Sequence, residues 1–181
     1  ILPPRIIGHE FNGIIAHVGS NVQHLKSGMR VSGEGHFVCN TCRQCTSGKK
    51  HLCRNTQGLG IHRDGAFAEQ VVVHEDNVVI LPDHIGCDEG AILDPLGNAV
   101  HTVLSCDIVG EDVLITGAGP IGMMAAAICK HIGARYIVIT DISDDRLELA
   151  KKMGATHTVN VGKTSLKQAM QEMPLHEGFS V

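Results

Sequence analysis

The run Val113-Leu-Ile-Thr-Gly-Ala-Gly-Pro-Ile-Gly122 decides the fold. Its first four residues read as a short buried strand. Gly117, Gly119 and Gly122 then form G-x-G-x-x-G. From Pro120 an Ala-, Met- and Ile-rich segment runs to Gly133, with proline at its start and glycine at its end, the punctuation of a helix. A glycine run of this kind signals dinucleotide binding when it follows a strand, opens a helix and is followed by an acidic residue after the next strand. Asp141, which ends the strand Tyr136–Thr140, meets the last condition. In that reading Gly117 permits the tight turn, Gly119 lets a pyrophosphate reach the backbone, and Gly122 lets helix and strand pack closely. The helix N-terminus offers N–H groups and a positive dipole end to phosphate. Asp141 would accept the ribose hydroxyls and repel a 2′-phosphate, which favours NAD over NADP. Arg146 nearby is of a type that accepts that phosphate, so the sequence keeps both cofactors in view.

Working toward the C-terminus, Asp144–Met153 is an amphipathic helix ended by Gly154. His157–Val161 reads as a third strand, Ser165–Glu172 as a third helix, and Phe179–Val181 as the opening of a fourth strand. Alternating strands and helices predict a parallel sheet. Working toward the N-terminus, Asp88–Leu93 and Asn98–Leu104 read as helical turns. Residues 5–81 look β-rich, with strand-like runs at Gly13–Val18, Phe67–Val73 and Asn77–Leu81. The two halves meet near residues 95–110.

Between Gly33 and Gly65 lies a long segment without periodicity, and a loop of that length needs something to hold it. Cys39, Cys42, Cys45 and Cys53 supply it, in the pattern C-x2-C-x2-C-x7-C. Four thiolates close a tetrahedral shell around zinc, and such closed sites are structural. Arg43, Lys49, Lys50 and Arg54 are placed to offset the charge of a zinc tetrathiolate. An iron–sulfur cluster is the competing reading; its usual run has a three-residue last gap followed by proline, whereas Arg54 follows Cys53 here. Cys87, Cys106 and Cys129 stand singly and read as small buried hydrophobes. Gly8-His9-Glu10 and Asp94-Pro-Leu-Gly-Asn-Ala-Val-His101 are mute in isolation. The first is a metal-ligand pair or surface furniture, the second a tuned carboxylate or a turn cap. His36, just before the cysteines, faces either substrate or solvent.

Composition excludes several classes. Apolar residues are 43% and charged residues 19%, which suits a packed core rather than disorder. A net charge of −4 with scattered Lys and Arg, 3% aromatics and no Trp argue against nucleic-acid binding. The stretch Val113–Cys129 is too short, and too rich in glycine, for a membrane span. Seven Cys and no signal peptide argue against a secreted disulfide scaffold and for the cytoplasm.

Taken together, a Gly-His-Glu motif, a four-cysteine lobe, a long helix and then GAGPIG resemble the zinc-dependent medium-chain dehydrogenases. The stretches RVSGEGHFVCNTC (30–42), HLCRNTQGLGIHRDGAFAE (51–69), DPLGNAVHT (94–102), GEDVLITGAGPIG (110–122) and TDISDDRLELAKKMGAT (140–156) are most similar to the L-threonine 3-dehydrogenase branch. The resemblance implies an incomplete GroES-like catalytic domain over 1–100, with a zinc lobe at about 36–56, and the first half of a Rossmann domain, a doubly wound parallel sheet, over 101–181. It implies a structural zinc on Cys39, Cys42, Cys45 and Cys53, and a catalytic zinc with His9 and Glu10 among its ligands. Asp94 is implied in the proton relay, and Ile121, Asp141 and Arg146 in contacts to NAD. The implied reaction is NAD-dependent oxidation of the L-threonine 3-hydroxyl to 2-amino-3-oxobutanoate by a cytoplasmic homotetramer. Sister enzymes acting on sorbitol or butanediol share both metal motifs. The family's upstream cysteine ligand and the later strands of its cofactor sheet have no counterpart here, so the chain reads as an internal fragment. By itself such a fragment would be an inactive zinc- and nucleotide-binding module.

Overall fold

A computed structural model describes residues 3–175 and 178–181. It divides into two compact units, Ile1–Asp94 and Pro95–Val181.

In the first unit β1 (Asn12–Ile14), β2 (Arg30–Gly33) and a later strand form an antiparallel sheet with β2 in the middle. β3 (His36–Phe37) follows, then the short helix α1 (Arg43–Thr46), and β4 (Gln57–Gly58), which pairs antiparallel with β3. β5 (Val78–Ile80) completes the first sheet, with Val31 opposite Ile80. The helix α2 (Cys87–Ala91) follows it. The sheet is tied to its surroundings by polar groups at its centre. Ser32 Oγ donates to the Phe11 carbonyl at 2.8 Å, and the Arg30 guanidinium reaches the Ile85 carbonyl at 2.6 Å.

Two strand expectations change here. The run Gly13–Val18 contributes only its first two residues to β1, although Ile15 N–H still bonds to the Met29 carbonyl. Phe67–Val73 is not a strand. The N–H groups of Gly65, Ala66 and Phe67 bond to the carbonyls of Ile6, Gly8 and Ile7, and the pairing stops there. Alternating apolar residues become a strand only where a neighbour offers both hydrogen bonds and a face to bury. Among the described residues no strand ladder reaches 68–73, and Val72 is 92% exposed.

The helix α3 (Leu93–Leu104) begins two residues before the division. After it come β6 (Asp112–Thr116), α4 (Pro120–Ile132), β7 (Tyr136–Asp141), α5 (Asp144–Met153), β8 (His157–Asn160) and α6 (Leu166–Met170). β6, β7 and β8 pair in parallel in that order, with Val113 opposite Ile137 and Ile139 opposite Thr158. Parallel strands buried on their faces are expected to be rich in Val and Ile, and Ile137, Val138 and Ile139 are fully buried. One cluster joins Ala99 and Val103 of α3 to Val113, Ile137 and the Ala125, Ala126 and Cys129 face of α4. A second packs Leu147 and Ala150 of α5 against Ile139 and Ala118. Val181 approaches β6 on the side away from β7. Its carbonyl accepts from Leu114 N–H at 2.9 Å and its N–H points at the Asp112 carbonyl. That is the parallel pattern expected of a fourth strand beside β6.

Asp112, 2% exposed, receives a two-pronged hydrogen bond from Arg135, both arms at 2.7 Å. Cys129 is buried, and burial raises its thiol above the ordinary range. Cys87 and Cys106 are exposed, contrary to expectation. Cys87 is the first residue of α2, and Cys106 follows the end of α3, so neither lies on an inward helix face. No helix among the described residues is long and apolar enough to cross a membrane.

Candidate functional site

The four lobe cysteines converge. Cys42 Sγ lies 3.5 Å from Cys45 Sγ and 3.9 Å from Cys53 Sγ, and Cys53 Sγ lies 3.6 Å from Cys39 Sγ. A tetrahedral ion with metal–sulfur bonds of about 2.3 Å needs sulfurs about 3.8 Å apart. The spacing therefore fits one ion held by four thiolates. An iron–sulfur cluster distributes its thiolates over separate irons and needs a wider set. Backbone N–H groups already aim at the sulfurs, Cys42 N to Cys39 Sγ at 3.3 Å and Cys39 N to Cys53 Sγ at 3.4 Å. Asn55 Nδ2 adds a contact to Cys39 Sγ at 3.6 Å. Asn40 turns the chain with φ +55°, a value that asparagine tolerates, and its N–H serves Cys45. Donors from Thr41, Cys42 and Asn55 bring the Cys39 thiol down to about 5. The amides of Cys45 and Arg54 lower Cys42. Burial, then the neighbouring sulfurs of Cys42 and Cys53, push Cys45 up to about 12. The surroundings favour thiolates at Cys39 and Cys42 and oppose one at Cys45, so four thiolates this close need a cation among them. Arg43, Lys49, Lys50 and Arg54 stand exposed around it.

His9, Glu10 and Asp94 form the second cluster. Their donor atoms all lie within 4.8 Å of one another, and His9 Nε2 is 4.0 Å from Asp94 Oδ2. An imidazole and two carboxylates at that separation suit a divalent ion. The His9–Glu10 pair lies outside regular structure just before β1, and glycines seat it. Gly8 takes φ +96°, and Gly60 and Gly65 pack so closely on its backbone that a Cβ on either would overlap Gly8. In sequence these two glycines stand in Gly58-Leu-Gly-Ile-His-Arg-Asp-Gly65, a spacing that does not reveal what they touch.

The glycine turn sits between β6 and α4. Gly117 has φ +96°, and its N–H bonds to the Thr140 carbonyl at 2.8 Å. A Cβ on Gly122 would overlap the Gly117 carbonyl, whereas one on Gly119 would meet open space. Gly119 is the N-cap of α4, so unpaired N–H groups of a 13-residue helix open onto that space. Ile121 lies half exposed on the first turn. Gly117, Gly119, Ile121 and Gly122 also line a cavity of about 560 Å³. Asp141 ends β7, and its Oδ2 accepts from Ala118 N–H at 2.8 Å. Its Oδ1 accepts from the N–H groups of Ile142 and Ser143 at 2.8 and 2.9 Å. Hydrogen bonds from Ser143 and Ala118, then Ile142 and the charge of Arg146, hold this carboxyl below the usual range. Arg146 is exposed in the first turn of α5. The features that admit a dinucleotide, an open Gly119 and a pinned acidic residue after β7, are all present.

Comparison with known proteins agrees with these features. The family model described as the alcohol dehydrogenase GroES-like domain matches residues 1–83, and that described as zinc-binding dehydrogenase matches residues 120–181. The chain belongs to the zinc-binding alcohol dehydrogenase family. Its fold is that family's, a β-rich GroES-like part followed by a Rossmann part. Among the family's curated members, L-threonine 3-dehydrogenase of Chromobacterium violaceum is 60% identical over 98% of this chain. The enzyme of that name from Marinomonas sp. is also 60% identical over 98%. The chain spans about half the length of these relatives, 52% of each. Among solved structures, galactitol-1-phosphate dehydrogenase from Escherichia coli matches with TM-score 0.87 and 35% identity, over 94% of this chain and 50% of that one. An alcohol dehydrogenase from E. coli CFT073 complexed with NADH matches with TM-score 0.88 and 33% identity, over 93% and 51%. A zinc-binding dehydrogenase from Sinorhizobium meliloti bound to NADP matches with TM-score 0.87 and 34% identity, over 91% and 48%.

Proposed function

We propose that this chain carries the zinc lobe, part of the catalytic metal site and the first half of the cofactor site of an NAD-dependent L-threonine 3-dehydrogenase. The observation that carries this reading is the convergence of His9, Glu10 and Asp94 in a chain whose curated relatives bear that name. The reaction is oxidation of the 3-hydroxyl of L-threonine to 2-amino-3-oxobutanoate.

Zinc supplies Lewis acidity toward the hydroxyl, and NAD supplies the hydride acceptor. His9 and Glu10 hold the ion through an imidazole nitrogen and a carboxylate oxygen. Asp94 Oδ2, 4.0 Å from His9 Nε2, is placed to hold the hydroxyl proton and pass it onward. Cys39, Cys42, Cys45 and Cys53 hold a second zinc that fixes the lobe, because ion binding and folding of such a loop are one event. The open backbone at Gly119 and the free amides in the first turn of α4 take the pyrophosphate, and Ile121 packs beside the cofactor. Asp141 takes the ribose hydroxyls and disfavours a 2′-phosphate; Arg146 stays exposed beside it. The complete protein is read as a cytoplasmic homotetramer.

A second reading has one observation in its favour. A similar solved structure is a galactitol-1-phosphate dehydrogenase, so a polyol is the competing substrate class. The test is NADH formation by the full-length, zinc-loaded protein with L-threonine, sorbitol and 2,3-butanediol in parallel. Turnover of L-threonine well above the other two is expected. Preference for a polyol would replace the substrate, and no NADH with any alcohol would reject the enzyme reading.

A further inference from the structure

Among the described residues only four polar side chains are buried, and one of them, Asn77, has no part in either metal set. Asn77 is 7% exposed and lies where the chain enters β5. Its Nδ2 donates to the carbonyls of Glu34 at 2.8 Å and His36 at 2.9 Å. Its own carbonyl accepts from Glu34 N–H at 2.8 Å, and its N–H donates to the His74 carbonyl at 2.9 Å. The approach is so close that a Cβ on Gly33 would come within 2.7 Å of the Asn77 carbonyl. One buried residue thus fastens the whole turn from Gly33 to His36.

That turn lies beside His9 and leads along the chain to Cys39. Gly35 lies beside His9, since a Cβ added to it would stand 3.5 Å from His9 Cβ, and its carbonyl accepts from the N–H of fully buried Leu59 at 2.8 Å. At its far end His36 opens β3, which leads through Phe37 and Val38 to Cys39. Glu34 spans the turn, receiving His36 N–H at 2.8 Å and contacting His36 Nδ1 at 2.6 Å. A buried carboxamide that satisfies two carbonyls at once has one geometry open to it, and cutting it leaves both carbonyls without a donor.

We propose that Asn77 is a positioning residue of the catalytic metal site, holding the Gly33–His36 turn against His9. The proposal rests on the reading of His9 and Glu10 as ligands of the catalytic ion. A small shift of a positioned group costs far more in reaction than in folding. The predicted signature is therefore a change at the substrate and the His9 metal, not at the nucleotide.

The experiment uses the full-length, zinc-loaded protein and the variants Asn77→Ala and Asn77→Ser, with Val79→Ala on exposed β5 as control. KM for the alcohol, KM for NAD and zinc release to a chelator are measured for each. For Asn77→Ala, kcat/KM for the alcohol should fall roughly tenfold to a hundredfold. KM for NAD should stay within about twofold, one zinc should leave faster, and the second should stay. Asn77→Ser, which keeps one donor, should lie between wild type and Asn77→Ala, and it decides the matter if Asn77→Ala does not fold. A lower thermal midpoint with unchanged kinetics and zinc release would overturn the proposal. So would loss of both zincs at one rate, or equal changes in the two KM values. Wild-type protein that forms no NADH overturns the enzyme reading; zinc release from the variants still decides what Asn77 holds.

Discussion

Asp141 Oδ2 accepts the Ala118 N–H at 2.8 Å, joining the end of β7 to the middle of the glycine turn. The residue assigned to the ribose hydroxyls is thus also a clamp on the loop that receives the pyrophosphate. Asp141→Asn therefore weakens NAD in two ways, by removing the charge and one of two acceptor oxygens at the ribose and by loosening the turn. Affinity for NAD should fall roughly tenfold or more, and the preference over NADP should shrink. Titration with both cofactors checks this; unchanged constants for both reject the role.

The same carboxyl gives a pH dependence. Its folded-state value lies below the ordinary one, as does that of Asp144, which is paired with Lys163 and bonded to Asn160. The stability that each contributes is present in full above the unfolded aspartate value of about 3.9 and is lost as pH falls through the lowered folded value. Urea midpoints should drop on acidification below pH ~4, and less steeply in Asp141→Asn. Parallel slopes in the two proteins would contradict it.

Gly119 and Gly122 separate binding from folding. Gly122→Ala drives a Cβ into the Gly117 carbonyl and should cost about 1–3 kcal/mol in urea unfolding. Gly119→Ala meets open space and should change stability by no more than about 1 kcal/mol while abolishing nucleotide binding. Equal destabilisation by both substitutions would contradict this division.

Gly65→Ala should damage one metal site and spare the other. Its Cβ would overlap Gly8, next to His9, and it lies outside the cysteine knuckle. In the full-length protein, zinc should fall from about two per chain toward one, with the tetrathiolate retained. Loss of the lobe zinc instead would refute the placement.

The Arg135–Asp112 pair is structural. Arg135→Met removes the two-pronged hydrogen bond to a buried carboxylate and should lower the thermal midpoint clearly. Asp112→Asn in the same chain should recover part of the loss, because no charge then has to be buried without the guanidinium. A double variant less stable than Arg135→Met alone would contradict that cause.

The parallel half was legible because local chemistry and global pattern agree there. Pro120 and Gly133 bracket α4, Asp144–Met153 reads as α5 and forms as α5, and Asp141 lies where the fingerprint puts it. The cysteine knuckle was legible because its four cysteines are close in sequence. The His9, Glu10 and Asp94 cluster was not, since Asp94 lies far along the chain and only the resemblance linked it to His9. The Gly8–Gly60–Gly65 contact and the Asn77 clamp depend on what each residue touches, which periodicity does not encode. The stretch 67–73 carries a strand pattern whose pairing stops at Phe67, and Cys87 and Cys106 depart from the burial typical of cysteine because they lie at helix ends.

X-ray absorption at the zinc edge, on this chain purified without chelators, tests the central claim most directly. The account predicts about one tightly held zinc per chain with four sulfurs at about 2.3 Å. A chain without tightly held metal, a shell containing nitrogen or oxygen, or iron with visible absorbance would contradict it.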